Sequence, residues 1–249
     1  MQAFASLIDA LQRTAEPRAR VRFLADYLGS AGDPDRGWAL AIVAGALELP
    51  TVPPAQIRTL AAERVDPELF QWSHEYVGDL TETVALIWPV ETPSSNAMPA
   101  LSEIVETLLT ATREDARRLL PDWLDRLDPA GRWALLRLAT GGLRAGASAR
   151  LARDALAAWS GMSLERIEAV WHGIAPPYAP LFAWLEGRER EPDLRAHPSF
   201  MPFMLASALD EAALGELDPR AYRAELKWDG LRVELVCRQG ARRLYSRFG

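Results

Sequence analysis

Glu225-Leu226-Lys227-Trp228-Asp229-Gly230-Leu231-Arg232 contains the only lysine of a 249-residue chain in which the other Lys+Arg residues are all arginine. Arginine keeps its proton in proteins, whereas a lysine amine can lose one and become a nucleophile. A lone lysine also occurs by chance on a surface, so the flanks must decide. Tyr222, Ala224 and Leu226 alternate with Arg223, Glu225 and Lys227, the period of two that marks a strand with one covered face. Asp229-Gly230 is a hairpin turn signal, and Leu231, Val233, Leu235 and Cys237 continue the alternation against Arg232 and Glu234. Gln239-Gly240 predicts a second turn into Arg243-Leu244-Tyr245-Ser246, so the start of a three-strand antiparallel meander is expected here. So small a unit has little stability without partners.

Ahead of this stretch the chain reads as helix from residue 1 to about 187. Phe4, Leu7, Ile8 and Leu11 recur at i, i+3, i+4 and i+7, the stripe of an amphipathic helix. Val21, Leu24, Ala25 and Leu28 repeat it before a break at Gly29-Ser30-Ala31-Gly32. Trp38, Ile42, Ala46 and Leu49 predict a third helix that ends at Pro50. Further helices are expected near 55–64, 67–77, 79–88 and 101–109, with the turn-rich 91–96 as an exposed connector. One or two follow over 113–127, then helices near 130–140 and 148–159, and two more over 163–187 separated by Pro176-Pro177. Glu186-Gly187-Arg188-Glu189-Arg190-Glu191-Pro192 reads as a charged linker.

Net charge is −6, which argues against nucleic acid until the sign is examined by segment. Arg132, Arg137, Arg144, Arg150 and Arg153 fall between 129 and 153 with no acidic residue among them, a local basic stretch. Inside it, Gly141-Gly142-Leu143-Arg144-Ala145-Gly146-Ala147-Ser148 separates two helices, with Ser148 placed as the N-cap of the second. Glycines allow close backbone approach, and a helix N-terminus offers free N–H groups to a phosphate. Arg144 and Arg150 would add charge-assisted contacts to the same backbone. An ordinary turn with solvated arginines accounts for the stretch equally well.

Other classes recede. Cys237 is the single cysteine, which fits a reducing compartment. The N-terminus has no signal-peptide pattern, and no apolar run is long enough for a bilayer. A soluble, cytosolic protein is expected. His74, His172 and His197 lack ligand-spaced partners for zinc. The tryptophans, Trp38, Trp123 and Trp133 among them, mostly fall at helical core positions.

The hexapeptide Lys227-Trp228-Asp229-Gly230-Leu231-Arg232 resembles the Lys-x-Asp-Gly-x-Arg nucleophile motif of covalent nucleotidyltransferases: ATP-dependent DNA ligases, RNA ligases and mRNA capping enzymes. It does so without departure. Ser246-Arg247-Phe248-Gly249 is similar to the Ser-Arg-x-Gly element that follows in ligases. The stretch from Leu135 through Gly146 looks like the helix and turn that meet DNA in the all-helical domain of ATP-dependent DNA ligases. That family often carries lysine where Gly142 stands, so one phosphate contact is missing here. Ser199 to Ala206 is similar to the opening of the ligase nucleotide-binding domain, while residues 1–100 match only in being helical.

The resemblance implies a mainly α chain: a helical DNA-binding domain over 1–190, a linker over 191–199, and over 200–249 the first antiparallel strands of an adenylation domain. It implies ATP and Mg²⁺ as cofactors and nicked double-stranded DNA as partner, with no membrane and a monomeric state. Lys227 would attack the α-phosphate of ATP to give lysyl-AMP. Asp229-Gly230 would hold it at the pocket mouth, Glu225 and the adjoining Leu226 backbone would face adenine, Trp228 would pack near the nucleotide, and Arg232 and Arg247 would reach ribose or phosphate oxygens. Gly142, Arg144, Gly146, Ser148 and Arg150 would contact DNA. The family's later metal-binding glutamates and OB-fold domain are absent, so an N-terminal fragment without ligation activity of its own is expected, with 200–249 loosely held. An RNA ligase or capping-type enzyme and a non-enzymatic helical nucleic-acid-binding module stay open. A preceding helical domain of ~180 residues favours DNA ligase by analogy of architecture.

Overall fold

A computed structural model describes residues 1–49, 52–89, 97–143, 148–194, 198–201, 209–223, 225–226 and 228–246. Among them are twelve α-helices, a short 3₁₀ helix and one two-stranded antiparallel sheet, so the chain is mainly helical. The first six helices are α1 (Gln2–Arg13), α2 (Pro17–Ser30), α3 (Asp35–Ala44), α4 (Pro54–Ala62), α5 (Pro67–Val77) and α6 (Leu80–Ile87). Then come α7 (Leu101–Thr110), α8 (Arg113–Arg126), α9 (Pro129–Ala139), α10 (Ala149–Ser160), α11 (Leu164–Trp171) and α12 (Ala179–Leu185).

Local chemistry sets the ends of these helices. Proline stands in the first turn of α2, α4, α5, α9 and α12, where its missing N–H costs nothing. Asp66, Asp79, Asp128 and Ser148 cap the following helices with side-chain oxygens. Thr112 and Asp115 form a reciprocal capping box at α8, which then runs unbroken through Pro121, so the 113–127 stretch is one helix. α3 is shorter than the Trp38–Leu49 stripe predicts. Gly45 takes φ 71°, and the Ala46 N–H turns back to the Ala41 carbonyl at 2.9 Å. A left-handed glycine cap overrides the apolar period, and Ala46 and Leu49 leave the helix.

α3 is the axis of the helical body. Every residue from Arg36 to Val43 is buried, as expected of a helix enclosed on all sides. α10 packs along α2 and touches α3, while α1, α6, α8 and α9 form the adjoining layer. Gly37 is needed for a close approach: a β-carbon there would stand 1.8 Å from the Pro177 carbonyl oxygen. Arg36, 6% exposed, sends its Nε and Nη2 to the two carboxylate oxygens of Asp33 at 2.7 Å each. Its Nη1 reaches Glu186, and its guanidinium lies 4.3 Å from the Phe182 ring centroid and 5.4 Å from that of Trp159. One side chain thus joins the α3 entrance, α10 and the end of α12.

The C-terminal part differs from the expected meander. The strands are β1 (Glu234–Arg238) and β2 (Ala241–Tyr245), paired Glu234 to Tyr245 and Arg238 to Ala241. Gln239 and Gly240 both have positive φ, 47° and 82°, as a tight two-residue hairpin turn requires. The described residues between 221 and 233 form no strand. Tyr222, Leu226 and Leu231 are all exposed, so their alternation has no covered face to enforce pairing among the described residues.

Candidate functional site

The described part of the lysine motif presents its side chains to solvent. Leu226 is 80% exposed, Trp228 83% and Leu231 94%, and Glu225 and Arg232 are exposed as well. Trp228 packs against no core, unlike Trp38 and Trp123, which are buried as the helical stripes predict. Lys227 and Arg247 lie outside the described residues, as do Arg144, Gly146, His197 and the 91–96 connector. Among the described residues no group of three or more His, Cys, Asp or Glu is placed to hold a metal ion.

The glycine-rich turn after α9 has a structure of its own. Gly141 adopts φ 72°, and the Gly142 N–H donates to the Arg137 carbonyl at 2.8 Å, closing the helix end. That amide is therefore already engaged in capping. Ser148 caps α10 as its position predicts, accepting from the Leu151 N–H at 3.1 Å. Arg150 projects from the first turn of α10, loosely paired with Asp154 at 3.6 Å.

The basic stretch is less positive in space than in sequence. Arg132 is 3% exposed; its Nε donates to the Leu124 carbonyl at 2.7 Å and its Nη1 to that of Trp88 at 3.2 Å. Burial lowers its pKa from the ordinary guanidinium value. Arg137 meets Asp79 at 3.1 Å, and Arg153 meets Glu168 at 3.5 Å. Two of the acids that sequence proximity omits are thus supplied by α11 and by the cap of α6. Exposed cations appear instead on α2, where Arg18 and Arg22 stand one turn apart. α2 and α10 pair with their C-terminal ends together, the Trp159 indole against Gly29. Arg18 and Arg22 on α2 and Arg150 on α10 thus belong to two helices packed against each other. The Arg18-x-Arg20-x-Arg22 spacing was the available signal, masked in sequence by the apolar stripe of the same helix.

A cleft of about 620 Å³ opens between α1, α6 and α9, with Asp9, Arg13, Glu82, Leu86, Trp133 and Arg137 on its walls. Its charges balance, and the Asp9–Arg13 pair at 2.7 Å closes part of the rim. It lies apart from the lysine motif.

The hairpin is anchored to the helical body rather than detached from it. The Tyr245 ring packs 5.8 Å from His172 and 5.6 Å from Phe200, and its hydroxyl donates to the Pro198 carbonyl. Arg243 donates to the His172 carbonyl at 3.4 Å, and the Met201 N–H meets the Glu234 carboxylate at 3.2 Å. The preceding linker is pinned too: Glu191 pairs with Arg166, and Leu194 covers Gly173 so closely that a β-carbon there would collide.

Burial, aided by Arg153 and Arg243, pushes the His172 pKa down to about 4. The docked state therefore excludes a proton that a released imidazole, with its ordinary pKa near 6.5, would accept. Docking is fully present above that value and weakens as pH falls through the window from about 6.5 to about 4. Amide exchange of residues 234–245 should accordingly quicken between pH 7 and pH 5, after correction for intrinsic rates. His172→Phe should remove that dependence; an unchanged pH response in the variant would place its origin elsewhere.

No protein-family model and no curated protein matches this chain. No helix among the described residues is long and apolar enough to cross a membrane.

Proposed function

We propose that this chain carries the helical DNA-binding domain and the nucleophilic lysine of an ATP-dependent DNA ligase. The observation that carries the proposal is the ordered set Lys227-Trp228-Asp229-Gly230-Leu231-Arg232 and Ser246-Arg247-Phe248-Gly249, flanking an antiparallel hairpin and preceded by a large helical body. The Lys227 amine, once deprotonated, forms a bond to the α-phosphorus of ATP as the bond to pyrophosphate breaks. Mg²⁺, when bound, would supply neutralisation of the charge that develops on the leaving phosphates. AMP then passes to the 5′-phosphate of a nick, and the adjacent 3′-hydroxyl displaces it. Glu225, Leu226, Arg232 and Arg247 are assigned to the nucleotide, and Gly142, Arg144, Gly146, Ser148 and Arg150 to the DNA backbone. The exposure of the described motif residues favours a second reading, in which these 249 residues only bind nucleic acid.

DNA binding separates the assigned surface from the rest. Fluorescence anisotropy with a labelled duplex should show affinity falling steeply as salt rises. Arg144→Ala with Arg150→Ala should weaken nicked and intact duplex alike, by about tenfold at moderate salt, because phosphate contacts position without reading sequence. Arg18→Ala with Arg22→Ala tests the neighbouring helix α2. Wild-type affinity in the first double variant would move the DNA surface away from the α9–α10 turn.

A further inference from the structure

α5 has two unlike faces. Phe70, Ser73, His74 and Val77 form a half-buried side, where the Phe70 and His74 rings stack at 6.0 Å and His74 Nδ1 lies 3.4 Å from Thr83 Oγ1 of α6. The opposite side carries Leu69, Trp72 and Tyr76 at i, i+3 and i+7, exposed by 51%, 66% and 92%. Such side chains present on the order of 400 Å² of contiguous, largely apolar surface, the size at which a patch on a monomer is usually functional. No residue of α5 is fully buried, so the stripe does not serve this chain's core.

Charge narrows the occupant. From 63 to 82 the chain has Glu63, Asp66, Glu68, Glu75, Asp79 and Glu82 against one cation, Arg64, which turns to Asp125 at 3.3 Å. Asp66 and Asp79 are occupied as helix caps. Glu68 and Glu75 make no ion pair among the described residues and flank Trp72 on the helix at i−4 and i+3. Glu75 also sits in the last turn, where the helix dipole disfavours an acid. Glu68 in the first turn suits the helix dipole and Glu75 accepts from Gln71 at 3.0 Å, yet both carboxylates stay exposed with no cation against them among the described residues.

We propose that this face of α5 docks a basic amphipathic segment of a partner protein. Leu69, Trp72 and Tyr76 receive its apolar side chains, and Glu68 and Glu75 pair with its lysines or arginines at the rim. Nucleic acid and anionic lipid are disfavoured because their phosphates would meet the same carboxylates. A two-fold contact with a second copy would set two acidic rims against each other.

The test uses the whole chain and a synthetic amphipathic Leu/Lys helical peptide, with a Leu/Glu peptide of equal length as control. Backbone NMR shifts on titration should concentrate in α5 and its junction with α6, with no response to the Leu/Glu peptide. Trp72→Ser with Tyr76→Ser should weaken binding by about tenfold or more, as loss of aromatic anchors does at interface centres. Glu68→Gln with Glu75→Gln should weaken it severalfold and flatten its salt dependence. These positions are exposed, so circular dichroism should remain that of the wild type. Shifts spread over other helices, equal binding by the Leu/Glu peptide, or undiminished binding by either double variant would overturn the proposal. So would sedimentation showing a dimer of the free chain that Trp72→Ser dissolves, or an oligonucleotide that shifts α5 instead.

Discussion

Lys227→Arg is expected to abolish covalent AMP transfer while preserving the positive charge. α-Labelled ATP with Mg²⁺ should leave base-stable, acid-labile label on Lys227. The attacking nitrogen needs a free electron pair. A lysine amine, ordinarily titrating near 10.4, reaches that state when burial or a neighbouring cation lowers its pKa, whereas a guanidinium stays protonated. Lys227→Ala should be equally inactive. The equality matters, because a lysine serving only as a counter-charge would tolerate arginine far better than alanine. Label persisting on the Lys227→Arg protein would remove Lys227 as the nucleophile. Duplex binding should be unaffected in both variants, which separates this outcome from failure of the DNA-binding assignment.

Arg36→Ala should damage the helical body strongly, lowering stability by about 3 kcal/mol. It removes the buried guanidinium that Asp33 and Glu186 share, leaving them only the more exposed Arg188, and strips that guanidinium from the Phe182 and Trp159 rings. Urea unfolding should show the loss at constant slope, and heating should show a fall in Tm of roughly 6–12 °C for a domain of this size. Arg36→Lys should recover only part of it, since an ammonium cannot span both carboxylates or stack as a plane. The Arg36 hydrogen bond holds the Glu186 pKa below its ordinary value. Its contribution is therefore present above about pH 4.5 and fades as pH falls through the lowered value. A loss under 1 kcal/mol at neutral pH would show that the network is solvated rather than structural.

The helical body was legible because its signal is local and repeated. Phe4, Leu7, Ile8 and Leu11 are all buried, and so are Ile104, Val105 and Leu108. Pro176-Pro177 divides α11 from α12 as its chemistry demands. What escaped the sequence depends on distant partners. Arg137 and Arg153 look like free charge until Asp79 and Glu168 are brought beside them. Tyr245 looks like one more strand residue until His172 and Phe200 close around it. The end of α3 turned on one backbone conformation at Gly45 that the apolar period does not encode. Trp72 reads as a core tryptophan by type, yet faces solvent because Phe70 and His74 occupy the inward side of the same helix. At the proposed site Ser148 was readable as a cap, whereas the prior engagement of the Gly142 amide was not.

The enclosure of α3 also bears on how the helical body can be divided. Its neighbours are recruited from both halves of the chain, α2 before it and α7 and α10 after it, with Glu186 clamping its first turn from far downstream. Neither half can therefore complete a core alone: an N-terminal piece would expose α3 over most of its circumference, and a C-terminal piece would lack the helix it wraps. The body behaves as one cooperative unit, so a nick in the backbone near the 91–96 connector would leave two segments that hold each other in place. Swapping either half between related chains would carry half of the α3 contacts into a foreign setting, which makes the boundary after α12 the natural seam for recombination.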